Sequence, residues 1–289
     1  MRQWRLIYDR PMEALTPDPF PSERRAQNMG VHGAWNMAVD EAILASVGAG
    51  DAPPTLRLYS WTPPCLSLGY GQRARDADTG RIAARGWQIV RRPTGGRAIL
   101  HADELTYSLA LPPDHPLALE AVVESYRAIS RGLMAALERL GAAVQAEKAD
   151  TAAMQIGAVC FETPSHYEIT VGGRKLVGSA QVRRTYGVLQ HGTLPLTGDI
   201  ARICDALAYA DDAERDAAKA AVRARALTLE TALGGRAVTW DEAARVIAQG
   251  FRETFGIDLI EADLSNAERE NASRFVTERY GSHDWTFRR

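Results

Sequence analysis

The sequence predicts an α+β fold, in which strands and helices are largely segregated along the chain. Strand patterns dominate up to Leu196, whereas the remainder is mostly helical. Strands and helices do not alternate in the regular order that a doubly wound parallel sheet requires. No internal repeat or long linker divides the 289 residues. We therefore predict one domain over 1–289, with a mostly helical part from about residue 199.

The first half of the chain supplies most of the predicted strands. Residues 9–30 are too rich in Pro and charge to hold a regular element. Apolar residues recur at helical spacing over 34–46, and Gly and Pro residues follow, so an amphipathic helix is expected there. Apolar runs predict strands at 4–8, 55–61 and 65–70, and three more around a glycine turn within 87–111.

The second half begins with the most regular helix, at 118–140, whose apolar residues are spaced by three and four and which ends at Gly141. Two strands joined by Gly172-Gly173 follow, and then a strand over 187–196. Further helices are predicted at 199–208, 213–233, 240–255 and 265–280. The Ala-rich, charged segment 208–226 is expected to be a solvated helical excursion.

Composition and charge exclude several classes of protein. The formal net charge of -2 gives no reason to expect a nucleic acid or a membrane as the partner. No window approaches eighteen uninterrupted apolar residues, and the N-terminus lacks the apolar run of a secretory signal. Three scattered cysteines suit neither a disulfide framework nor a zinc site, and they predict a cytoplasmic location.

The stretch RRPTGGRAILH at 91–101 contains the first candidate site. Gly95 and Gly96 can adopt positive φ and let a ligand approach main-chain N–H groups closely. The flanking Arg91, Arg92 and Arg97 could bind a carboxylate, a phosphate or a thioester oxygen. A tight β-turn with solvated arginines explains the same pattern equally well. The stretch is neither a Walker loop nor a GxGxxG motif.

His101 closes this stretch and could orient a ligand or act as a base. A histidine is also common as a structural residue with satisfied hydrogen bonds, and that interpretation is the simpler one. We find no second His or carboxylate at helical ligand spacing from it, so no metal is expected.

A hairpin around Gly172-Gly173 carries the second candidate site. A two-residue turn would pair Val171 with Arg174, Thr170 with Lys175 and Ile169 with Leu176. One face of the hairpin is then apolar, while Glu168, Thr170 and Lys175 share the other. Lys175 is either a solvated lysine beside a turn or a lysine directed into a cleft. The cleft would have a floor of small residues, namely Gly178, Ser179 and Ala180.

Cys160 lies where a short apolar run enters a Pro-containing loop. A catalytic cysteine must be partly exposed and needs a nearby cation to favour its thiolate. Lys175 could be that cation if the loop folds back over the hairpin; otherwise Cys160 is a buried sulfur. Cys65 and Cys204 lie in a predicted strand and helix and are expected to be small core residues.

Three motifs in order carry a resemblance to a known family: RRPTGGRAILH at 91–101, GRKLVGSAQ at 173–181 and LQHGTLPL at 189–196. Together they resemble the lipoate–protein ligase/octanoyltransferase superfamily, which is similar in its catalytic domain to biotin protein ligase. NMAVDEAIL at 36–44 and LSLGYGQ at 66–72 extend the resemblance, as does the C-terminal segment 278–289. The resemblance implies a catalytic domain of mixed β-sheets flanked by helices.

Within the superfamily, the chain most resembles the cysteine-dependent octanoyltransferases. Cys160 matches their loop cysteine, and Arg97 stands where the ATP-dependent ligases typically have a third small residue. The resemblance implies transfer of an octanoyl group from acyl carrier protein to a lysine of glycine-cleavage H protein or another lipoyl domain. Cys160 would be the nucleophile and Lys175 its partner, with no cofactor and no metal.

The resemblance also implies which residues surround the acyl group. Main-chain groups of Gly95, Gly96, Gly178 and Ser179 would line the acyl tunnel and bind the carbonyl oxygen. Ala180 and Gly192 border the same motifs. Arg92, Arg97, His101 and His191 would position the substrate.

Three alternatives stay open. The chain could be an ATP-dependent lipoate–protein ligase that leaves Cys160 idle. It could relay the acyl group between two lipoyl domains as an amidotransferase. It could also be a non-catalytic relative that binds lipoate without turnover, although Cys160, Lys175 and RRPTGG are all present.

Overall fold

The computed structural model describes residues 2–10, 32–147 and 168–289. The described part has the predicted α+β composition. Its strands are β1 Arg2–Asp9, β2 Thr55–Tyr59, β3 Cys65–Leu68, β4 Gln88–Arg91, β5 Ile99–His101, β6 Glu104–Leu111, β7 Val144–Glu147, β8 Glu168–Val171, β9 Arg174–Arg184, β10 Gly187–Pro195 and β11 Ile257–Glu261. Its α-helices are α1 His32–Ala49, α2 Thr79–Ala84, α3 Pro116–Leu119, α4 Val122–Arg139, α5 Asp212–Arg225, α6 Leu229–Ala232, α7 Trp240–Phe255, α8 Asn266–Phe275 and α9 His283–Thr286.

Two sheets organise these elements. The larger has eight strands in the order β11-β1-β2-β6-β10-β9-β8-β7, and the smaller has three in the order β4-β3-β5. β1 runs parallel to β11 and β2, whereas the remaining pairs of the large sheet are antiparallel. β3 pairs parallel with β4 and antiparallel with β5. Both sheets are therefore mixed, as predicted.

The central strand β6 shows how the large sheet separates two layers. Leu105, Tyr107 and Leu109 pack into one core with helices α4 and α7. The alternate residues Thr106 and Ser108 face the opposite side, where helix α1 lies. Successive strand residues point to opposite faces, so one strand contributes both to a hydrophobic core and to a polar site.

Several predicted boundaries need correction. The helix predicted at 118–140 is divided at Glu120 and Ala121, which are extended with ψ near 156° and 157°. The one predicted at 213–233 breaks at Ala226, which forms a parallel bridge with Lys175. Residues 200–206 form a 3₁₀ helix, and 276–280 form a π turn after α8.

The segment 208–226, which was predicted to be a solvated helix, in fact packs against the rest of the protein. Val222 of α5 is fully buried in a cluster with Leu207, and Arg215 is buried as well. The short elements β7, β11 and α2 were not predicted, because runs of four to six residues carry little periodicity. Within the described residues no helix has the length and apolar character needed to cross a membrane.

Candidate active site

A cavity of about 300 Å³ lies between helix α1, the large sheet and the small sheet. This volume is at the lower end of the roughly 300–1,000 Å³ typical of small-molecule pockets. Met37, Tyr59, Trp61 and Ile99 supply apolar surface. The other described residues of the lining are Ser67, Arg92, Gly96, Arg97, His101, Thr106, Gly178, Ser179, Ala180, His191, Gly192 and Thr193.

Most of the predicted substrate-binding residues therefore meet at this one cavity. The three motifs supply the glycine turn, the central part of β9 and the central part of β10. Gly95 is exposed at the turn and is absent from the lining. Cys160 lies outside the described residues.

The glycine turn is held in shape by Arg92, which is buried. Its guanidinium donates to the main-chain oxygens of Ser67, Gly95 and Arg97, at 3.0, 2.7 and 2.7 Å. Gly96 has φ of 91°, and a Cβ on Gly69 would lie 1.9 Å from the Gly96 oxygen. The turn thus needs glycine at position 96, where φ is positive, and at position 69, where a Cβ would clash with the turn.

Arg91 is buried too, and its Nη1 donates to the carbonyls of Gly69 and Gln72 at 2.7 Å each. The interpretation of solvated arginines is therefore wrong for Arg91 and Arg92. Arg97 differs: it is half-buried and lines the cavity, and no described residue forms a hydrogen bond or ion pair with its guanidinium.

His101 on β5 is part of a buried network. Its Nε2 lies 2.9 Å from Ser67 Oγ, and its Nδ1 lies 3.3 Å from Glu104 Oε1. The ring stacks on Trp61 with centroids 4.0 Å apart. Burial lowers the pKa of His101 and outweighs the opposing effect of Glu104, so the imidazole is neutral near pH 7. Sequence reasoning overlooked Glu104, a carboxylate three residues along the chain.

His191 on β10 connects the cavity to a buried carboxylate. Its Nε2 lies 2.7 Å from Thr94 Oγ1 in the glycine turn, and its Nδ1 lies 3.2 Å from Asp40 Oδ2. Asp40, on α1, also accepts hydrogen bonds from Arg57 at 2.8 Å and Tyr59 at 2.9 Å. The ring is therefore oriented from both sides, toward the turn and toward helix α1.

The ionisation of Asp40 follows from these partners. Burial raises its pKa, but the hydrogen bond from His191 and the positive charge of Arg57 outweigh burial and leave the pKa below its usual value. Asp40 is 0% exposed. Sequence reasoning did not assign it a role, although a charged residue in the apolar run of NMAVDEAIL is a usable signal.

Lys175 on β9 is 3% exposed, and its Nζ lies 2.6 Å from Glu168 Oε1. The predicted pairs of Lys175 with Thr170 and of Arg174 with Val171 are confirmed. Ile169 pairs with Val177 rather than Leu176, because a bulge shifts the register. Since Lys175 is buried and paired, the interpretation as a solvated lysine is wrong.

Lys175 is not among the residues that line the cavity, but its strand leads there. Gly178 is three residues further along β9, a distance of about 10 Å at the rise of a β-strand. The floor residues Gly178, Ser179 and Ala180 pair with Thr193, Gly192 and His191 of β10. A Cβ on Gly192 would lie 2.5 Å from Ser179 Oγ, so small residues are required where the two strands form the floor.

The other two cysteines are core residues, as predicted. Cys65 and Cys204 are both fully buried thiols. Burial raises the pKa of the Cys65 thiol, which disfavours its thiolate. In the described ranges 2–10, 32–147 and 168–289, no group of His, Cys, Asp and Glu side chains is arranged to hold a metal ion.

Comparison with known proteins identifies the family that this chain resembles. Residues 32–252 match the family model of the lipoyl protein ligase A/B catalytic domain. The chain is 40% identical to octanoyltransferase LipM of Kyrpidia tusciae over 89% of this chain and 95% of the relative. It is also 40% identical to octanoyltransferase LipM of Exiguobacterium sibiricum over 89% and 95%.

Solved structures show the same fold. A bipartite lipoate protein ligase from Thermoplasma acidophilum matches with a TM-score of 0.76 at 24% identity, over 99% of this chain and 97% of that one. A lipoate-protein ligase A bound with ATP matches with a TM-score of 0.76 at 22% identity, over 99% of both chains.

Proposed function

The chain belongs to the family of lipoyl protein ligase A/B catalytic domains, and we propose that it forms a Cys160 thioester while moving an octanoyl group between two carrier proteins. Its similarity to curated octanoyltransferases over most of its length makes it an octanoyltransferase in protein lipoylation. The donor we propose is octanoyl-acyl carrier protein. The acceptor is a lysine of glycine-cleavage H protein or of another lipoyl domain.

The observation that carries the proposal is the cavity and its lining. Met37, Tyr59, Trp61 and Ile99 present apolar surface suited to an aliphatic chain. The polar groups belong to the glycine turn and to the two histidines. A short acyl chain can therefore be buried while its carbonyl stays near main-chain and imidazole groups.

The reaction has two steps that balance. The Cys160 thiolate attacks the carbonyl carbon of the octanoyl thioester, the bond to the carrier sulfur breaks, and the carrier thiolate leaves and takes up a proton. The amine of the acceptor lysine then attacks the carbonyl carbon of the Cys160 thioester, the C–S bond breaks as the amide C–N bond forms, and the proton lost by the amine passes to the released Cys160 sulfur or to solvent. A thioester is already activated, so neither step consumes ATP.

Lys175 acts in this scheme as the fixed positive charge. Its pairing with Glu168 at 2.6 Å supports a charged ammonium on β9. That charge would favour the Cys160 thiolate and the oxyanion formed during transfer. The same charge would disfavour a second ammonium nearby and so favour the neutral, nucleophilic form of the incoming amine.

The glycine turn and the two histidines position the acyl group. The turn is fixed beside the cavity because Arg92 donates hydrogen bonds to its carbonyls. His191 is held by Thr94 and Asp40, and His101 by Ser67 and Glu104, so both rings have fixed orientations. Fixed groups cost little reorganisation during reaction.

Mass spectrometry of the intact protein tests the proposal. The protein is incubated with octanoyl-acyl carrier protein without ATP, then treated with hydroxylamine, which cleaves thioesters. We expect a hydroxylamine-labile octanoyl adduct in the wild type and in Cys204→Ala, and none in Cys160→Ala. Labelling that persists in Cys160→Ala would refute the thioester. ATP-dependent attachment of free lipoate to a lipoyl domain, without any adduct, would favour a ligase instead.

A further inference from the structure

Outside the cavity, the most unusual surface feature is a cluster of arginines with no acidic partners. Arg73, Arg75 and Arg289 are exposed and border one open depression of about 410 Å³. We call these three residues the basic rim. No described residue forms an ion pair or a side-chain hydrogen bond with any of them. In a chain with a formal net charge of -2, this is a marked local excess of positive charge.

The basic rim is continuous with the cavity. A second depression, of about 490 Å³, is lined by Arg73 of the rim together with Gly96 and Arg97. Gly96 and Arg97 also line the cavity itself. A path of polar surface therefore runs from the rim, past the unpaired guanidinium of Arg97, to the cavity mouth.

The chain keeps this cluster in place by specific contacts. The Ala74 N–H donates to the Arg289 carbonyl at 2.7 Å, which joins the C-terminal residue to the segment that carries Arg73 and Arg75. The neighbouring Arg288 stacks on Tyr70 at 3.8 Å and donates to its carbonyl. The charges of Arg288 and Arg289 add to burial in lowering the pKa of Arg91 beneath them. Asp76 is the one acidic side chain that lines the second depression, and it accepts from Gln72 at 3.3 Å.

We propose that the basic rim is the docking surface for the acyl donor, an acidic carrier protein with a phosphopantetheine arm. The inference rests on the proposed function, since it assumes that the donor is a carrier-bound octanoyl thioester. The arm would cross the second depression, with its phosphodiester between Arg73 and Arg97, and deliver the acyl chain to the cavity. Acidic side chains of the carrier would bind Arg75 and Arg289.

The chemistry of the donor favours it over the acceptor as the occupant. A phosphopantetheine arm carries a phosphodiester at its protein end, and arginine binds phosphate through paired N–H groups. A lysine side chain has no anionic group along its length. The arginines that lead to the cavity form no ion pair with any described residue, and they therefore match the donor arm and not the acceptor arm.

Kinetics of the first half-reaction test this assignment. The double variant R73E/R75E is compared with R245E, which reverses an exposed charge on α7, on the other side of the large sheet. Each is assayed for octanoyl adduct formation with octanoyl-carrier protein and with octanoyl-pantetheine, which has neither a phosphate nor a protein. We expect R73E/R75E to raise KM for the carrier donor about tenfold with little change in maximal rate, a loss of about 1.4 kcal/mol in binding. Rates with octanoyl-pantetheine, and all rates of R245E, should equal those of the wild type.

Three results would overturn the assignment. An unchanged KM of R73E/R75E for the carrier donor would show that the rim takes no part in docking the donor. An equal loss with both donors would mean that the rim supports the cavity itself. A defect confined to the second half-reaction, started from preformed octanoyl-enzyme, would assign the rim to the acceptor. If the wild type forms no adduct with either donor, the proposed function itself fails, and this outcome is distinct from the other three.

Discussion

Asp40 is the residue on which the order of the site depends most directly. It accepts hydrogen bonds from Arg57, Tyr59, Ser108 and His191 while fully buried. All four of its neighbours are side chains from other elements, so the carboxylate joins helix α1 to three strands. Loss of its charge would leave Arg57 with Asp9 as its remaining ion-pair partner, and Asp9 is partly exposed.

We therefore predict that Asp40→Asn lowers the free energy of unfolding by about 3 kcal/mol, since it breaks a buried ion pair and leaves the buried Arg57 with only the partly exposed Asp9 to compensate its charge. Arg139→Gln, which breaks the exposed ion pair with Glu253, should cost less than about 1 kcal/mol. Urea denaturation at pH 7 measures both. Equal losses in the two variants would contradict the central role of Asp40.

His101 should make stability depend on pH. Its pKa is lowered in the folded state, so the unfolded chain binds the proton more readily. The stability that neutral His101 contributes is complete above its unfolded pKa of about 6.5 and is lost as pH falls from there toward the folded pKa. Urea denaturation at pH 7.5 and 5.5 should show a smaller loss for His101→Asn than for the wild type. The exposed His283 provides the control, because His283→Gln should keep the pH dependence of stability of the wild type. If His101→Asn lost as much stability between pH 7.5 and 5.5 as the wild type, His101 would not be the source of that dependence.

Lys175 should affect chemistry rather than substrate affinity. We predict that Lys175→Gln slows octanoyl adduct formation about 10²- to 10³-fold at saturating donor, the range seen when one stabilising group is removed from an active site. Arg174→Gln changes the charge of the next residue, which is half-buried, and should change the rate less than twofold. Single-turnover mass spectrometry gives both rates. A rate for Lys175→Gln close to that of the wild type would leave Lys175 a structural ion-pair residue.

At the scale of elements, the glycine turn and strand β9 form two walls of the same cavity. The turn contacts Gly69 after β3 so closely that a Cβ there would lie 1.9 Å from the Gly96 oxygen. Arg92 also holds the turn, because its guanidinium donates to the Gly95 and Arg97 carbonyls. The position of the turn is thus set both by backbone contact with Gly69 and by the hydrogen bonds of the buried Arg92.

This contact predicts different effects for two neighbouring glycines. Gly69→Ala should displace the turn, destabilise the protein by about 1–3 kcal/mol and raise KM for the donor. Gly71→Ala, where a Cβ would have no heavy atom within 4 Å and φ is not positive, should stay within about 0.5 kcal/mol of the wild type. Thermal unfolding and adduct kinetics compare the pair. Similar behaviour of the two variants would mean that the turn is more adaptable than its contacts indicate.

Local sequence signals account for the elements that were predicted correctly. Gly172 and Gly173 have φ of 56° and 73°, the conformation that a two-residue hairpin turn requires. The regular apolar spacing of α4 likewise identified it as a helix. The bulge beside Ile169, the break at Ala226 and the edge strands β7 and β11 depend on tertiary pairing, which no local pattern shows.

The candidate site was accessible from the sequence only as separate motifs. The motifs contain the glycine turn, the small residues of the cavity floor and both histidines. They can be recognised in the sequence because runs of small residues and adjacent glycines are uncommon. The contact between His191 and Asp40 joins residues 151 positions apart, and the burial of Arg91 depends on Trp285 and Thr286 at the far end. Such contacts follow from topology and have no signature in the residues themselves.

For the molecule as a whole, the charge distribution and the fold both indicate that the donor enters the cavity beside the basic rim. The small sheet, the glycine turn and the C-terminal residues converge where the basic rim meets the cavity. In a nearly neutral chain, a local basic surface such as the rim should attract an acidic partner. Exposed charges of this kind are screened by salt, with a Debye length of about 10 Å at 0.1 M.

We accordingly expect kcat/KM with octanoyl-carrier protein to fall several-fold between 50 and 300 mM NaCl. The value with octanoyl-pantetheine should change little, because this donor carries no charge to be screened. Initial rates of adduct formation measure both. Equal salt dependence for the two donors would show that salt acts on the enzyme and not on docking.

The most direct test of the central claim is a chase from isolated octanoyl-enzyme. The adduct is formed with octanoyl-carrier protein, freed of donor and mixed with a lipoyl domain in the absence of ATP. The account predicts that the enzyme loses the octanoyl mass while the acceptor gains it on its target lysine, in equal amounts. An adduct that stays on the enzyme, or one that hydrolyses without modifying the acceptor, would contradict transfer through Cys160.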